Sequence, residues 1–74
     1  MFHENDVVRL RSDLPAEGPT AWPGVPSTDL APGTVGTVVM VYGDGEAYEV
    51  EFVAADGSTL GLHSLPESVL EPVR

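Results

Sequence analysis

Two β-rich segments on either side of a tight-turn signal constrain the fold of this chain more than any other feature. The segments are 33–42 and 47–52, and Asp44-Gly45 lies between them. An Asp-Gly pair favours a hairpin, because glycine readily takes the positive φ that a tight turn requires. The second segment alternates apolar and acidic side chains, which is typical of a strand with one buried face and one wet face. The sequence therefore predicts a small β protein.

The hairpin can pair in two registers. A two-residue turn pairs Val41 with Tyr48 and Val39 with Val50. A loop longer by one residue shifts every partner on the first segment by one position and exchanges the faces of that strand. We favour the two-residue turn.

Three more short strands are predicted, over residues 6–11, 59–63 and 69–73. Val8 and Leu10 alternate with arginines in the first of these, and Leu60 and Leu62 are predicted to face inward in the second. Pro72 confines the last strand to an edge of the sheet, because proline has no backbone N–H. Residues 65–68 suit a single 3₁₀ turn.

The segment 15–33 separates the first two strands and contains five prolines and three glycines. This density excludes a regular helix or an interior strand, so a long loop is predicted. Loops of this length in small domains are usually functional or disordered. Trp22, the single tryptophan of the chain, lies in this loop. Its ring either folds back to cap the core or stays partly exposed and anchors a partner.

These elements predict one all-β domain over residues 1–74, a five-stranded SH3-like small barrel with a long first loop and a 3₁₀ turn before the last strand. The chain is too short for a seven-stranded sandwich. Closing the sheet on itself would bury one apolar face and limit the exposed edges. A monomer or a small homo-oligomer is expected.

The charge balance is strongly acidic, with 12 acidic residues, 3 basic residues and a formal net charge of −9. Binding to nucleic acid or to an anionic membrane is disfavoured, because both depend on lysine and arginine. A protein partner with a basic surface is favoured. No signal peptide and no apolar run of about 20 residues is recognised, so a cytoplasmic location is expected.

Residues that could carry catalysis or bind a metal are few. The chain has no cysteine. His63 and Ser64 are neighbours on a predicted strand, so their side chains point to opposite faces. His3 and His63 lack the spacing of metal ligands. The prediction is a non-enzymatic protein with no catalytic residue, no metal and no cofactor.

The predicted partner-binding surface combines the loop tryptophan with the acidic hairpin. The aromatic ring would supply affinity, and the carboxylates would steer a basic partner. The alternative for the carboxylates is a solvated face that keeps the protein soluble. A glycosidase-type acid/base pair is disfavoured, because it needs a cleft that raises one pKa. The residues of this predicted surface are Trp22, Asp44, Glu46, Glu49 and Glu51.

The segments 7–10, 13–15, 33–39 and 48–52, together with Asp56-Gly57, resemble the DUF4926 family of small bacterial proteins. That family is similar in plan to SH3-like and KOW-type barrels and to the small barrel of the nitrile hydratase β subunit. The resemblance covers most of the chain outside the loop. It implies a bacterial origin and a binding or accessory role, and it brings no catalytic residues with it.

The chemistry and the resemblance leave three alternatives open beside a general protein-binding module. One is an antitoxin or immunity-type inhibitor of a basic enzyme. Another is an accessory subunit that resembles the nitrile hydratase β-subunit barrel. The third, a KOW-like RNA-binding role, is disfavoured by the net charge.

Overall fold

The alternating segments form the strands of one antiparallel sheet in a computed structural model that describes residues 1–16, 22–25 and 27–73. Part of the predicted loop, residues 17–21 and 26, lies outside the described residues. All five predicted strands and the 3₁₀ turn are confirmed. The elements are β1 (Val7–Leu10), β2 (Val35–Tyr42), β3 (Ala47–Val53), β4 (Thr59–Leu65), the 3₁₀ turn (Glu67–Val69) and β5 (Leu70–Pro72).

The sheet is open, so the predicted closure into a barrel is wrong. The strand order is β4-β3-β2-β1-β5, and within the described part of the chain no ladder joins the two outer strands. The loop after β1 occupies the outer edge of β4 instead. The N–H of Trp22 donates to the carbonyl of Leu62 at 3.0 Å, and that of Thr28 donates to Leu60 at 2.9 Å. At the other edge, Pro72 offers no backbone N–H for a ladder.

The β2–β3 hairpin follows the favoured register near its turn and leaves it farther along. Val41 pairs with Tyr48 as predicted. A bulge between Val38 and Met40 then places Val38, rather than Val39, opposite Val50. The extra residue returns Val38 to the buried face, where its side chain is fully enclosed. One insertion therefore lets both ends of β2 cover the same core.

The prediction for the faces of β4 is wrong at Leu62, which lies on the partly exposed side, and the buried positions are Gly61, His63 and Leu65. Leu60, where the register with β3 shifts, is partly buried and packs against the core as predicted. The pairing with β3 sets this register, because buried Val50 lies opposite His63. The alternation of leucines gives the wrong prediction here, because a neutral imidazole occupies a core position where alternation predicts a leucine.

The core lies against the inner face of the sheet. Each strand contributes alternate side chains to it, and the N-terminal segment and the loop add one or two more. The predicted inward positions Val8 and Leu10 are confirmed. The buried apolar residues are Phe2, Val8, Leu10, Leu14, Leu30, Val38, Tyr48, Val50, Phe52, Leu65 and Leu70.

His63 makes the stability of this core depend on pH. Its side chain is fully buried and meets the ring of Phe52 edge-on, with the ring centroids 6.0 Å apart. Burial lowers the pKa of the imidazole below its ordinary value of 6.5. The unfolded chain therefore takes up a proton near that pH, whereas the folded chain resists it. The contribution is complete above 6.5 and is lost as the pH falls through the lowered pKa.

We expect the stability of the wild type, relative to a His63→Leu variant, to decrease as the pH falls from about 7.5 to about 5.5. Urea unfolding followed by circular dichroism at both pH values measures this difference. The matched control is Val53→Ala, which replaces an exposed side chain that does not titrate, and its stability relative to the wild type should not change with pH. A constant difference between wild type and His63→Leu would contradict the prediction.

Candidate functional site

Trp22 is fixed on the edge of the sheet. Besides the backbone bond to Leu62, its indole Nε1–H donates to the hydroxyl of Ser64 at 3.2 Å. The side chain of Ser64 points away from the core, because its neighbours His63 and Leu65 point into it. The indole therefore lies at the outer face of the sheet and is 39% exposed. It does not cap the core, so the alternative of a partly exposed ring matches the structure.

A row of side chains crosses the outer face and ends at this indole. Met40 on β2 lies opposite Glu49 on β3, and Glu49 lies opposite Ser64 on β4. Strands are about 4.8 Å apart, so the Glu49 position lies on the order of 10 Å from the indole. We call Met40, Glu49, Ser64 and Trp22 the outer row. Glu51 lies on the same face two residues along β3, opposite Leu62.

The bulge in β2 adds apolar surface beside the outer row. Val39 and Met40 are consecutive residues, yet both are exposed, at 39% and 44%. In a regular strand, two consecutive side chains point to opposite faces. The bulge removes this alternation locally, and such irregularities often re-aim side chains at functional sites. The sequence gives no sign of it, because every residue from Val38 to Val41 favours a strand.

The acidic residues of the predicted surface fall into two groups. Glu49 and Glu51 lie on the outer face with Trp22. Asp44 and Glu46 lie in the turn beyond the end of the sheet, where the N–H groups of Gly45 and Glu46 bond to the carbonyl of Tyr42. The structure therefore brings Trp22, Glu49 and Glu51 to one face and sets the turn residues at its end.

Glu49 is held by a neighbouring tyrosine. The hydroxyl of Tyr42 donates to Oε1 of Glu49 at 2.6 Å. This bond, with the nearby negative charge, raises the pKa of the tyrosine. The donor is a neutral hydroxyl, so this bond orients the carboxylate of Glu49 on the outer face without pairing it with a positive charge.

The carboxylate of Glu67, by contrast, is paired with a positive charge within the structure. Its carboxylate lies 3.1 Å from the amino group of Met1 and accepts a hydrogen bond from the hydroxyl of Tyr48 at 3.0 Å. These bonds lower the pKa of Glu67. The other ion pairs of the described residues join His3 to Asp6 and Arg9 to Glu71. None of them involves the acidic residues of the predicted surface.

The described residues contain no group of three or more histidine, cysteine or acidic residues that could hold a metal ion. In the same part of the chain, no helix is long and apolar enough to cross a membrane.

Comparison with known proteins identifies one family. The family model described as a domain of unknown function, DUF4926, matches residues 4–72. Neither a search of curated proteins nor a search of solved structures finds a match.

Proposed function

The chain belongs to the DUF4926 family, and from that premise we propose that it is a non-enzymatic module that binds another protein through the outer face of its sheet. The contact surface comprises the outer row, Val39 and Glu51, with Asp44 and Glu46 at its end. The partner presents an apolar centre with basic residues around it.

The observation that carries this proposal is a tryptophan that is held in place and yet exposed. Two hydrogen bonds fix Trp22, through its backbone and through its ring, while 39% of it remains in contact with solvent. A side chain ordered in advance loses little entropy when a partner covers it. Tryptophan is also among the residues most enriched in the energetic centres of protein interfaces.

The charge of the outer face supports a basic partner. Glu49 and Glu51 lie beside the exposed apolar side chains Val39 and Met40, and the chain as a whole carries a net charge of −9. Two copies of this face would bring their glutamates together, which disfavours self-association through it. A partner with arginine or lysine at matching positions would be steered toward the face and oriented on it.

The edges of the sheet favour binding through the face rather than by addition of a strand. Strand addition needs free backbone donors and acceptors at a sheet edge. On β4, the carbonyls of Leu60 and Leu62 are already bonded to the loop. On β5, the N–H of Leu70 is bonded to the carbonyl of Glu67, and Pro72 has no N–H.

We expect the substitution Trp22→Ala to weaken partner binding by about 2 kcal/mol or more, which is roughly thirtyfold in Kd. Single changes such as Glu49→Gln should cost less than about fivefold, because exposed charges contribute little individually. The partner is first captured from the host with the wild-type chain and identified by mass spectrometry. Binding of the purified pair is then measured by isothermal titration calorimetry.

The matched control is Val73→Ala. Val73 is 38% exposed, close to the value for Trp22, but it follows β5 at the opposite edge of the sheet. Circular dichroism should show that both variants are folded. The proposal is wrong if Trp22→Ala binds the partner as tightly as Val73→Ala does. Raising the salt concentration should mainly slow association, since steering by charge is screened.

The acidic surplus also favours a more specific role, as an inhibitor of a basic enzyme. In that case the captured partner is an enzyme whose activity falls when the chain binds. If the chain is instead an accessory subunit, the partner is a catalytic chain whose activity depends on it. An activity assay of the captured partner, with and without the wild-type chain, separates these two roles.

A further inference from the structure

A cleft at the other end of the sheet has the form of a second binding site. It has a volume of about 480 Å³, within the range of ligand sites in proteins. It lies where the two ends of the long loop meet, away from the hairpin turn. Its lining residues are Asp13, Leu14, Pro15, Asp29, Leu30 and Ala31.

The base of the cleft is a hydrogen-bonded junction between the two ends of the loop. Leu14 and Leu30 form an antiparallel bridge in which each N–H donates to the other's carbonyl at 2.8 Å. Both leucine side chains belong to the buried core. Asp29 strengthens the junction, because its Oδ1 accepts a hydrogen bond from the N–H of Ala16 at 2.8 Å. The cleft is therefore preformed.

The rim of the cleft carries two carboxylates with no cation beside them. Among the described residues, neither Asp13 nor Asp29 belongs to an ion pair. The nearest arginine along the chain, Arg11, lines a different cleft with Phe2 and Leu70. The exposed apolar residues Pro15 and Ala31 beside two negative charges are complementary to an aliphatic chain that ends in a positive charge.

We propose that this cleft receives an arginine or lysine side chain of the protein partner. The aliphatic stem packs on Pro15 and Ala31, which are exposed in the cleft, and the charged head lies between Asp13 and Asp29. The inference rests on the proposed function, because it specifies the chemistry of the same partner. It adds a second contact at the end of the sheet opposite the acidic turn.

The test is a nuclear magnetic resonance titration of the ¹⁵N-labelled chain with N-acetyl-L-arginine-N-methylamide. The matched probe, N-acetyl-L-norleucine-N-methylamide, has a similar aliphatic stem without the charge. We expect the arginine probe to shift the amide signals of Leu14, Leu30 and Ala31 in a saturable manner. The norleucine probe should shift them less and without saturation. Equal responses to both probes, or no response to either, would overturn the proposal.

The variant Asp13→Asn/Asp29→Asn should weaken binding of the arginine probe about tenfold, with about threefold from each carboxylate. Asparagine keeps the side-chain oxygen that accepts from Ala16, so the variant should stay folded. The control variant Glu4→Gln/Asp56→Asn removes the same charge at two exposed positions outside both the cleft and the outer-face contact surface, and it should bind as the wild type does. Equal weakening in both variants would indicate a general charge effect and would overturn the assignment to this cleft.

The contact at the outer face and the contact at the cleft can be rejected independently of each other. The outer row and the cleft share no residue, so partner binding by Trp22→Ala and the arginine titration of the cleft variant report on different sites. Loss of saturable binding at the cleft with an intact effect of Trp22 on the partner would reject only the cleft. The reverse result would reject only the outer face.

Discussion

Replacing Phe52 by alanine is expected to lower the free energy of unfolding by about 3–5 kcal/mol. The ring is fully buried, and its neighbours across both adjacent strands are glycines, Gly36 on β2 and Gly61 on β4. Because these neighbours have no side chains, they cannot move into the cavity that the substitution leaves. Small domains have total stabilities of the same order as this loss, so the variant should be largely unfolded at room temperature.

Urea unfolding followed by circular dichroism measures this loss. The control is Val53→Ala, at the next position of the same strand, where the side chain is 46% exposed. That variant should change the free energy of unfolding by less than about 0.5 kcal/mol. A loss below about 1 kcal/mol for Phe52→Ala would show that the ring does not fill the space described here.

Replacing Gly36 by alanine is expected to destabilise the protein by about 1–3 kcal/mol through overpacking. A Cβ at this position would lie 2.7 Å from the Phe52 ring and 2.8 Å from a methyl group of Val50. Both neighbours are fully buried, so neither can shift without disturbing the core. Val35→Ala, next to Gly36 on β2 and 46% exposed, is the control and should be nearly neutral.

The two positions should be coupled. If Gly36 is glycine because the ring of Phe52 covers it, the substitution Gly36→Ala should cost less in a Phe52→Leu background than in the wild type. A double-mutant cycle of unfolding free energies measures this coupling. Additive effects would indicate that the penalty at Gly36 comes from another contact.

The strands of this protein could be predicted from its sequence because each one has a local signal. The Asp44-Gly45 turn marks the hairpin, and the alternation around Val50 marks a strand with one wet face. The bulge at Val39 could not be predicted, because its neighbours favour a strand in either register. The inward prediction for Leu62 on β4 is wrong, because only the pairing with β3 shows that His63, rather than Leu62, enters the core.

A smaller part of the candidate site could be predicted from the sequence. Trp22 was recognised because it is the single tryptophan and lies among prolines. Its neighbours in the outer row could not be recognised, because Met40 and Ser64 approach it only through strand pairing and a long-range hydrogen bond. The predicted closure into a barrel is wrong for a related reason. The backbone bonds between the loop and β4 leave no local pattern in the sequence.

Those bonds have a consequence for behaviour at high concentration. Bare strand edges are templates on which like chains stack into fibres, and proteins with sheets must guard against this. Here the proline-rich loop covers the edge of β4, and Pro72 removes one backbone donor from the edge of β5. The loop that carries Trp22 thus also protects the edge of β4 from pairing with other chains. Shortening this loop should uncover that edge and promote the growth of fibrils.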